Sequence, residues 1–302
     1  MRGVVAALGN FDGVHLGHRA VLRRAVEEGR RRGGRVVAAT FHPHPRVVLT
    51  PGSQPKLLTT LELRREALLR YGVDDVWAIR FDEELSRKSP EEFVRDVLVG
   101  EIGAEAVVVG ENFRFGHRAA GDIGDLERLM RRFGGEAYAV PVRSEDGEAE
   151  ISSTRIRQLV AGGEVEEAAR LLGRPYVLRG EVVVGEKRGR HLGFPTANVL
   201  PDAAVVVPGR GVYAGFVRVG KDLHAAATNV GVAPTFQGRE GRVEAHLLDF
   251  DGDLYGLVVV VSFVRRIRPE MRFSGVDELR AQIARDVEEA RRITNDTICC
   301  MW

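Results

Sequence analysis

Hydrophobic residues change their period once along this chain, at Gly173-Arg174-Pro175. Before that point, short and continuously apolar runs alternate with segments of helical spacing. Val4–Leu8, Arg35–Phe41, Val73–Phe81, Ala106–Val109 and Ala137–Val142 read as strands, and His18–Arg32, Thr60–Tyr71, Pro90–Val99 and Asp125–Phe133 as helices. Strands that are apolar throughout need cover on both faces, so the pattern predicts a parallel sheet between helices. Ligands in such sheets bind beyond the carboxyl ends of the strands. Ser153–Leu172 reads as one or two helices with no strand between them, a connector. From Tyr176 onward strand-like segments follow one another: Tyr176–Val184, Gly211–Val219, Leu223–Val230, Val243–Phe250 and Leu257–Val264, separated by Gly, Pro and Asp clusters. That succession predicts an antiparallel sandwich or small barrel. A closing helix carries one apolar stripe at Val276, Leu279, Ile283, Val287 and Ala290.

Length agrees with two folding units, since 302 residues at roughly 150 per domain leave room for two cores. The expected division is 1–173, α/β, then 174–293, β, then a tail 294–302 whose Cys299-Cys300-Met301-Trp302 breaks the stripe. A composition of 44% hydrophobic and 29% charged residues argues against extended disorder. The 44 basic residues are balanced by 43 acidic ones, so the electrostatic footprint of a nucleic-acid binder is missing. The longest apolar stretch, Leu254–Val264, is broken by Gly256 and Ser262 and is too short to span a bilayer. Two adjacent cysteines make no disulfide framework, and the cytoplasm is the expected compartment.

The first run with chemical content is Gly9-Asn10-Phe11-Asp12-Gly13-Val14-His15-Leu16-Gly17-His18. Gly9, Gly13 and Gly17 let the backbone turn tightly behind the first strand, and the helix that follows aims free N–H groups at an anion. His15 and His18 are three apart, so at a helix start they face one point and could stabilise charge growing on a phosphate. A metal-binding pair or plain surface histidines are the alternatives. Position at the carboxyl end of the first strand favours the phosphate reading. Four of the eight histidines (15, 18, 42 and 44) fall on the first two strand ends. Two later segments fit the same site. Gly110-Glu111-Asn112-Phe113-Arg114-Phe115-Gly116 offers Asn112 to a sugar or phosphate, and Phe113 or Phe115 to a flat ring, unless those rings belong to the core. Ile151-Ser152-Ser153-Thr154-Arg155-Ile156-Arg157 offers capping hydroxyls, with Arg157 one turn on and able to grip phosphate oxygens.

A second run, Gly185-Glu186-Lys187-Arg188-Gly189-Arg190-His191-Leu192-Gly193-Phe194-Pro195-Thr196-Ala197-Asn198, follows the first strand of the β unit. It is not a Walker A sequence. Gly185 and Gly189 expose backbone N–H groups, and Lys187, Arg188 and Arg190 add positive charge; a basic surface loop is the alternative. Extended chain puts Thr196 and Asn198 on one side, as hard oxygen ligands of the kind Mg²⁺ takes alongside phosphates and water. Glu244 lies in a largely apolar strand, where a carboxylate needs a partner or a purpose. It could act as general base or pair with an arginine.

Both constellations, in this order and spacing, resemble the bacterial bifunctional riboflavin kinase/FAD synthetase family over about Val4 to Ile293. The resemblance implies a Rossmann-like nucleotidyltransferase unit followed by a six-stranded barrel with a C-terminal helix. It implies two reactions, riboflavin plus ATP to FMN, and FMN plus ATP to FAD and pyrophosphate. On this reading His15 and His18 contact the ATP phosphates, with Asn112 and Arg157 at family positions that steady the transition state. Gly9, Phe11, Asp12, Gly13, Gly17, Ser152, Ser153 and Thr154 line the same nucleotide, and Phe113 and Phe115 the flavin. Thr40-Phe41-His42-Pro43-His44-Pro45 matches a segment near that site. In the second unit Thr196 and Asn198 go to Mg-ATP, Glu244 to activating the terminal ribityl hydroxyl, and Asn229, in Asn229-Val230-Gly231-Val232-Ala233-Pro234-Thr235-Phe236, to the flavin. The implied partners are riboflavin, FMN and ATP, with neither nucleic acid nor membrane. Oligomeric state stays open. The rival readings are a nucleotidyltransferase for a non-flavin substrate and a flavin-binding regulatory protein.

Overall fold

A computed structural model describes residues 3–141, 151–185, 189, 192–231 and 242–297. The chain forms two compact units, Met1–Pro55 with Leu61–Ser153, and Lys56–Thr60 with Thr154–Trp302.

The first unit is built on five parallel strands: β1 (Val4–Leu8), β2 (Arg35–His42), β3 (Asp75–Arg80), β4 (Ala104–Gly110) and β5 (Glu136–Val140). Their order is β3-β2-β1-β4-β5. Alternate residues of each strand enter different layers. Ala6, Leu8, Ala39, Val107 and Val109 join one buried cluster, with Val94, Leu98, Leu126 and Met130. Val5, Ala7, Val36, Ala38 and Val108 join another, with Val21, Leu22 and Leu68. Cover on both faces is what continuously apolar strands require. The helices that supply it include α1 (Leu16–Arg32), α3 (Leu61–Arg70) and α6 (Ile123–Arg132). Helix α1 ends on Gly33 at φ 63°, a left-handed cap, with Arg30, Arg31 and Arg32 in its last turn, where cations suit the dipole. Short helices α2 (Pro45–Leu49) and α4 (Glu83–Arg87) have too few turns to show a period, and the sequence pattern misses them. Helix α5 starts at Pro90–Glu92 under a Ser89/Glu92 capping box and continues as a π-helix over Phe93–Glu101. Strand order reverses between β1 and β4, which makes the crevice beyond their carboxyl ends the natural ligand site of this sheet.

The second unit is a closed six-stranded barrel in the order β10-β7-β6-β11-β8-β9. Its strands are β6 (Tyr176–Val183), β7 (Ala197–Pro201), β8 (Gly211–Val219), β9 (Asp222–Gly231), β10 (Arg242–Leu247) and β11 (Val258–Arg268). The period alone reveals five of them. Strand β7 escapes it because its five residues carry the polar Asn198 and end in Pro201. Segment 56–60 joins this unit through Leu57, whose N–H donates to the Ala204 carbonyl at 2.6 Å. Helices α7 (Ser153–Gly162) and α8 (Val165–Leu172) follow each other without a strand, as expected.

Helix α9 (Val276–Thr297) turns its predicted stripe inward from Leu279 to Ala290 and departs from it at Val276. Val276 is exposed, whereas Ala290, Ile293, Thr294 and the carboxylate of Asp286 are buried. Arg268 meets Asp286 with Nη2–Oδ2 at 2.8 Å, and Gln282 donates to the same carboxylate at 2.8 Å. A stripe counted from apolar residues cannot see a buried ion pair. The helix also runs past residue 294 to Thr297; Cys299-Cys300-Met301-Trp302 lie outside the described residues, as does Val142.

Candidate functional sites

Beyond β1 the chain turns through residues 9–14, with φ of 46° at Phe11, 85° at Gly13 and 45° at Val14. A β-branched residue in the left-handed region costs on the order of 1–3 kcal/mol and persists only where its surroundings over-determine it. Four contacts do so here. The Val14 N–H donates to the Phe11 carbonyl at 3.1 Å, and Thr40 Oγ1 donates to the Asn10 carbonyl at 2.9 Å. Ser153 Oγ donates to the Asp12 carbonyl at 2.9 Å, and the Asp12 carboxylate lies 3.6 Å from Arg64 Nη2. The turn delivers His15 as the N-cap of α1, where its Nδ1 accepts from the His18 N–H at 3.3 Å. The two imidazoles stack at 3.6 Å with planes 16° apart, and Phe11 meets His18 edge-on at 5.3 Å. Burial pushes the His18 pKa well below the ordinary histidine value, and the charges of His15 and Arg64 push the same way. These influences favour the neutral imidazole of His18. Its Nδ1 is buried with no hydrogen-bond partner among the described residues.

Strands β1 and β4 are neighbours in register, Ala7 beside Val108, so the turn carrying Asn112 emerges at the same sheet edge as His15. Asn112 is exposed there. Phe115 is a core ring, tilted on Phe93 at 5.8 Å, and the half-buried Phe113 stacks outside it at 5.7 Å. Phe11, Asp12, Gly13 and Gly17 are buried within the turn and the first turn of α1, and a Cβ on Gly9 would stand 3.3 Å from the Phe11 ring. Ser152 is half-buried next to Ser153. Thr154 and Arg157 belong to the second unit, where Arg157 Nη1 donates to Thr154 Oγ1 at 3.3 Å. His42 ends β2, and His44 caps α2 by accepting from the Arg46 N–H at 3.2 Å. Sequence reasoning passed over Arg64. Its spacing carried a signal, since it lies three residues after Leu61 and four before Leu68, on the buried face of α3.

In the barrel, Glu244 of β10 is the direct cross-strand neighbour of Asn198 on β7 and of Asn229 on β9. Val243 and Ala245 are buried, and the half-buried Glu244 points to the opposite face. Directly opposed residues have Cβ atoms about 4.5–5.5 Å apart, so Asn198, Glu244 and Asn229 form one polar row. Gly185 follows β6, and a Cβ there would stand 2.3 Å from Asn198 Nδ2. Gly189 is as constrained, since its Cβ would come 2.4 Å from the Phe194 carbonyl and 3.3 Å from Thr196 Oγ1. Both glycines thus let backbone approach the side chains expected to take Mg-ATP. His246, two residues beyond Glu244 and missed from sequence, donates from Nδ1 to the Pro195 carbonyl at 2.7 Å and meets Phe194 edge-on at 5.6 Å. Lys187, Arg188 and Arg190 lie outside the described residues, as do residues 232–236.

A histidine-capped helix start at the switch point of a parallel sheet and a polar row on a closed barrel are matched by the profiles of two transferase families, one for each unit. The FAD synthetase family profile matches residues 1–155 and the riboflavin kinase profile residues 172–294. The chain belongs to the bifunctional riboflavin kinase/FMN adenylyltransferase family. It is 40% identical to such a protein of Escherichia coli K12, over 96% of this chain and 92% of the relative. It is 38% identical to one of Listeria monocytogenes, over 95% and 91% respectively. A crystal structure described as a macrolide-efflux protein from Streptococcus pneumoniae superposes with a TM-score of 0.86 at 35% identity, covering 96% of this chain and 94% of that one. Among the described residues no helix is long and apolar enough to cross a membrane.

Proposed function

We propose that the protein makes FAD from riboflavin in two ATP-dependent transfers, one on each unit, in the cytoplasm. The alignment of Glu244 between Asn198 and Asn229 carries the kinase half of this reading. Glu244 takes the proton of the ribityl 5′-hydroxyl as that oxygen attacks the γ-phosphorus, and ADP leaves. Thr196 and Asn198 offer a hydroxyl and an amide oxygen, hard donors suited to the Mg²⁺ of Mg-ATP, and that cation offsets charge on the phosphate oxygens. Gly185 and Gly189 give close backbone approach to the phosphates, with Lys187, Arg188 and Arg190 as counter-charges, and Asn229 meets the flavin.

On the first unit a phosphate oxygen of FMN attacks the α-phosphorus of ATP, and pyrophosphate leaves. His15 and His18 at the start of α1, with the N–H groups of Gly13 and Gly17, hold the departing charge. Phe113 offers its ring to the isoalloxazine, with Phe115 behind it. Asn112, Ser152 and Ser153 complete the contacts of this unit that the family resemblance implies, and the same resemblance assigns Thr154 and Arg157 to nucleotide.

Chromatographic product analysis of two variants tests the reading. Glu244→Gln stops FMN formation from riboflavin and leaves FAD formation from added FMN, whereas His18→Ala lets FMN accumulate. Loss of both activities in each variant contradicts the assignment.

A further inference from the structure

Neither transfer gives Arg64 a task, yet it is 2% exposed and its partner Asp12 1%. Burying a guanidinium and a carboxylate costs solvation that a 3.6 Å pair does not reliably return, so stability is a weak reason for such a pair. Geometry supplies a stronger one. Asp12 sits in the middle of the strained turn, its carbonyl taken by Ser153 and its carboxylate facing Arg64. Arg64 Nη1 also reaches Thr40 Oγ1 at 3.4 Å, and that hydroxyl donates to the Asn10 carbonyl. One side chain of α3 therefore holds the turn directly at Asp12 and, through the Thr40 hydroxyl on β2, at Asn10, on either side of Phe11. Phe11 and Val14 hold left-handed backbone angles that they would leave for the broad β region if released. Release at Val14 swings His15, the next residue, out of its cap and its ring stack.

We infer that Arg64 is a positioning residue for nucleotidyl transfer: through Asp12 and Thr40 it locks the strained turn that sets His15 against His18. The inference rests on reading that turn as the adenylyl-transfer site. Arg64 acts through Asp12 and Thr40, the groups that its guanidinium meets in the structure.

Steady-state FAD synthesis from FMN, measured on the full chain, tests it, with FMN synthesis from riboflavin in the same preparation reporting on the barrel. Arg64→Met is expected to lower kcat for FAD formation by about 100-fold, the scale of a misplacement near 1 Å. The KM for ATP rises several-fold, while the KM for FMN and the kinase rate stay within about twofold. Arg64→Lys, which keeps the charge, recovers at least tenfold of the loss. A chain that has merely lost part of its folded population would show a lower kcat with both KM values unchanged, and that pattern overturns the inference. So does an Arg64→Met kcat within threefold of the parent. Should Arg64→Met fail to fold, the pair Asp12→Asn/Arg64→Met removes both charges and faces the same criteria. His18→Asn runs alongside. If it retains FAD synthesis, the site reading itself falls and takes this inference with it; if it loses FAD synthesis while Arg64→Met keeps it, only the role of Arg64 falls.

Discussion

Ser153 gives its hydroxyl hydrogen to the main-chain oxygen of Asp12 at 2.9 Å, although 141 residues separate them in the chain. The bond joins two of the three segments that the sequence assigned to one site, and it fastens the turn at the Asp12 carbonyl, where Arg64 meets the carboxylate. A neutral, partly buried hydrogen bond is worth about 1 kcal/mol. Ser153→Ala is therefore expected to cut kcat/KM for FAD formation roughly fivefold and to leave FMN formation unchanged. Parallel assays of both reactions on the purified variant check this, and equal losses in the two would place the damage outside the turn.

Gly185 offers a sharper test in the barrel. Its missing Cβ is what admits the Asn198 side chain, which would otherwise meet it at 2.3 Å. Gly185→Ala forces Asn198 out of the row it shares with Glu244. The expected result is at least a tenfold loss of kinase kcat/KM for ATP, with FAD formation from added FMN retained. Steady-state titration of ATP at saturating riboflavin measures it.

The depressed pKa of His18 makes a statement about pH. In the unfolded chain a histidine protonates near pH 6.5, whereas the folded protein resists protonating His18. Below that pH the unfolded state binds more protons, so the contribution is whole above about pH 6.5 and is lost as pH falls toward the folded pKa. The ceiling is about 1.4 kcal/mol per pH unit for one proton. Urea midpoints at pH 5, 6, 7 and 8 should decline toward acid in the parent and less steeply in His18→Gln; parallel curves would assign the acid sensitivity to other groups.

Much of this architecture was legible in the sequence because burial wrote it as a period. Val107 and Val108 go to opposite layers of a doubly covered sheet, and an all-apolar strand is the only sequence that permits it. The family resemblance brought Asn198, Glu244 and Asn229 to one site, and strand register puts them in line. What stayed hidden were polar groups buried for a reason. Asp286 interrupts the apolar stripe of the last helix, and Arg64 sits on an apolar face. Each needs its partner, Arg268 or Asp12, to make sense, and those partners are remote in sequence. His246 was invisible for a related reason, since its role comes from a carbonyl 51 residues away.

Closure of the barrel gives the kinase row a digital character. In a ring of six strands no member can slide by one residue without turning its side chains from one face to the other. A slip of β7, β9 or β10 by one residue therefore takes its own member, Asn198, Asn229 or Glu244, out of the row. Phosphorylation of riboflavin should vanish in step with the last cooperative unzipping of the cylinder, which makes turnover itself a gauge of whether the ring is intact.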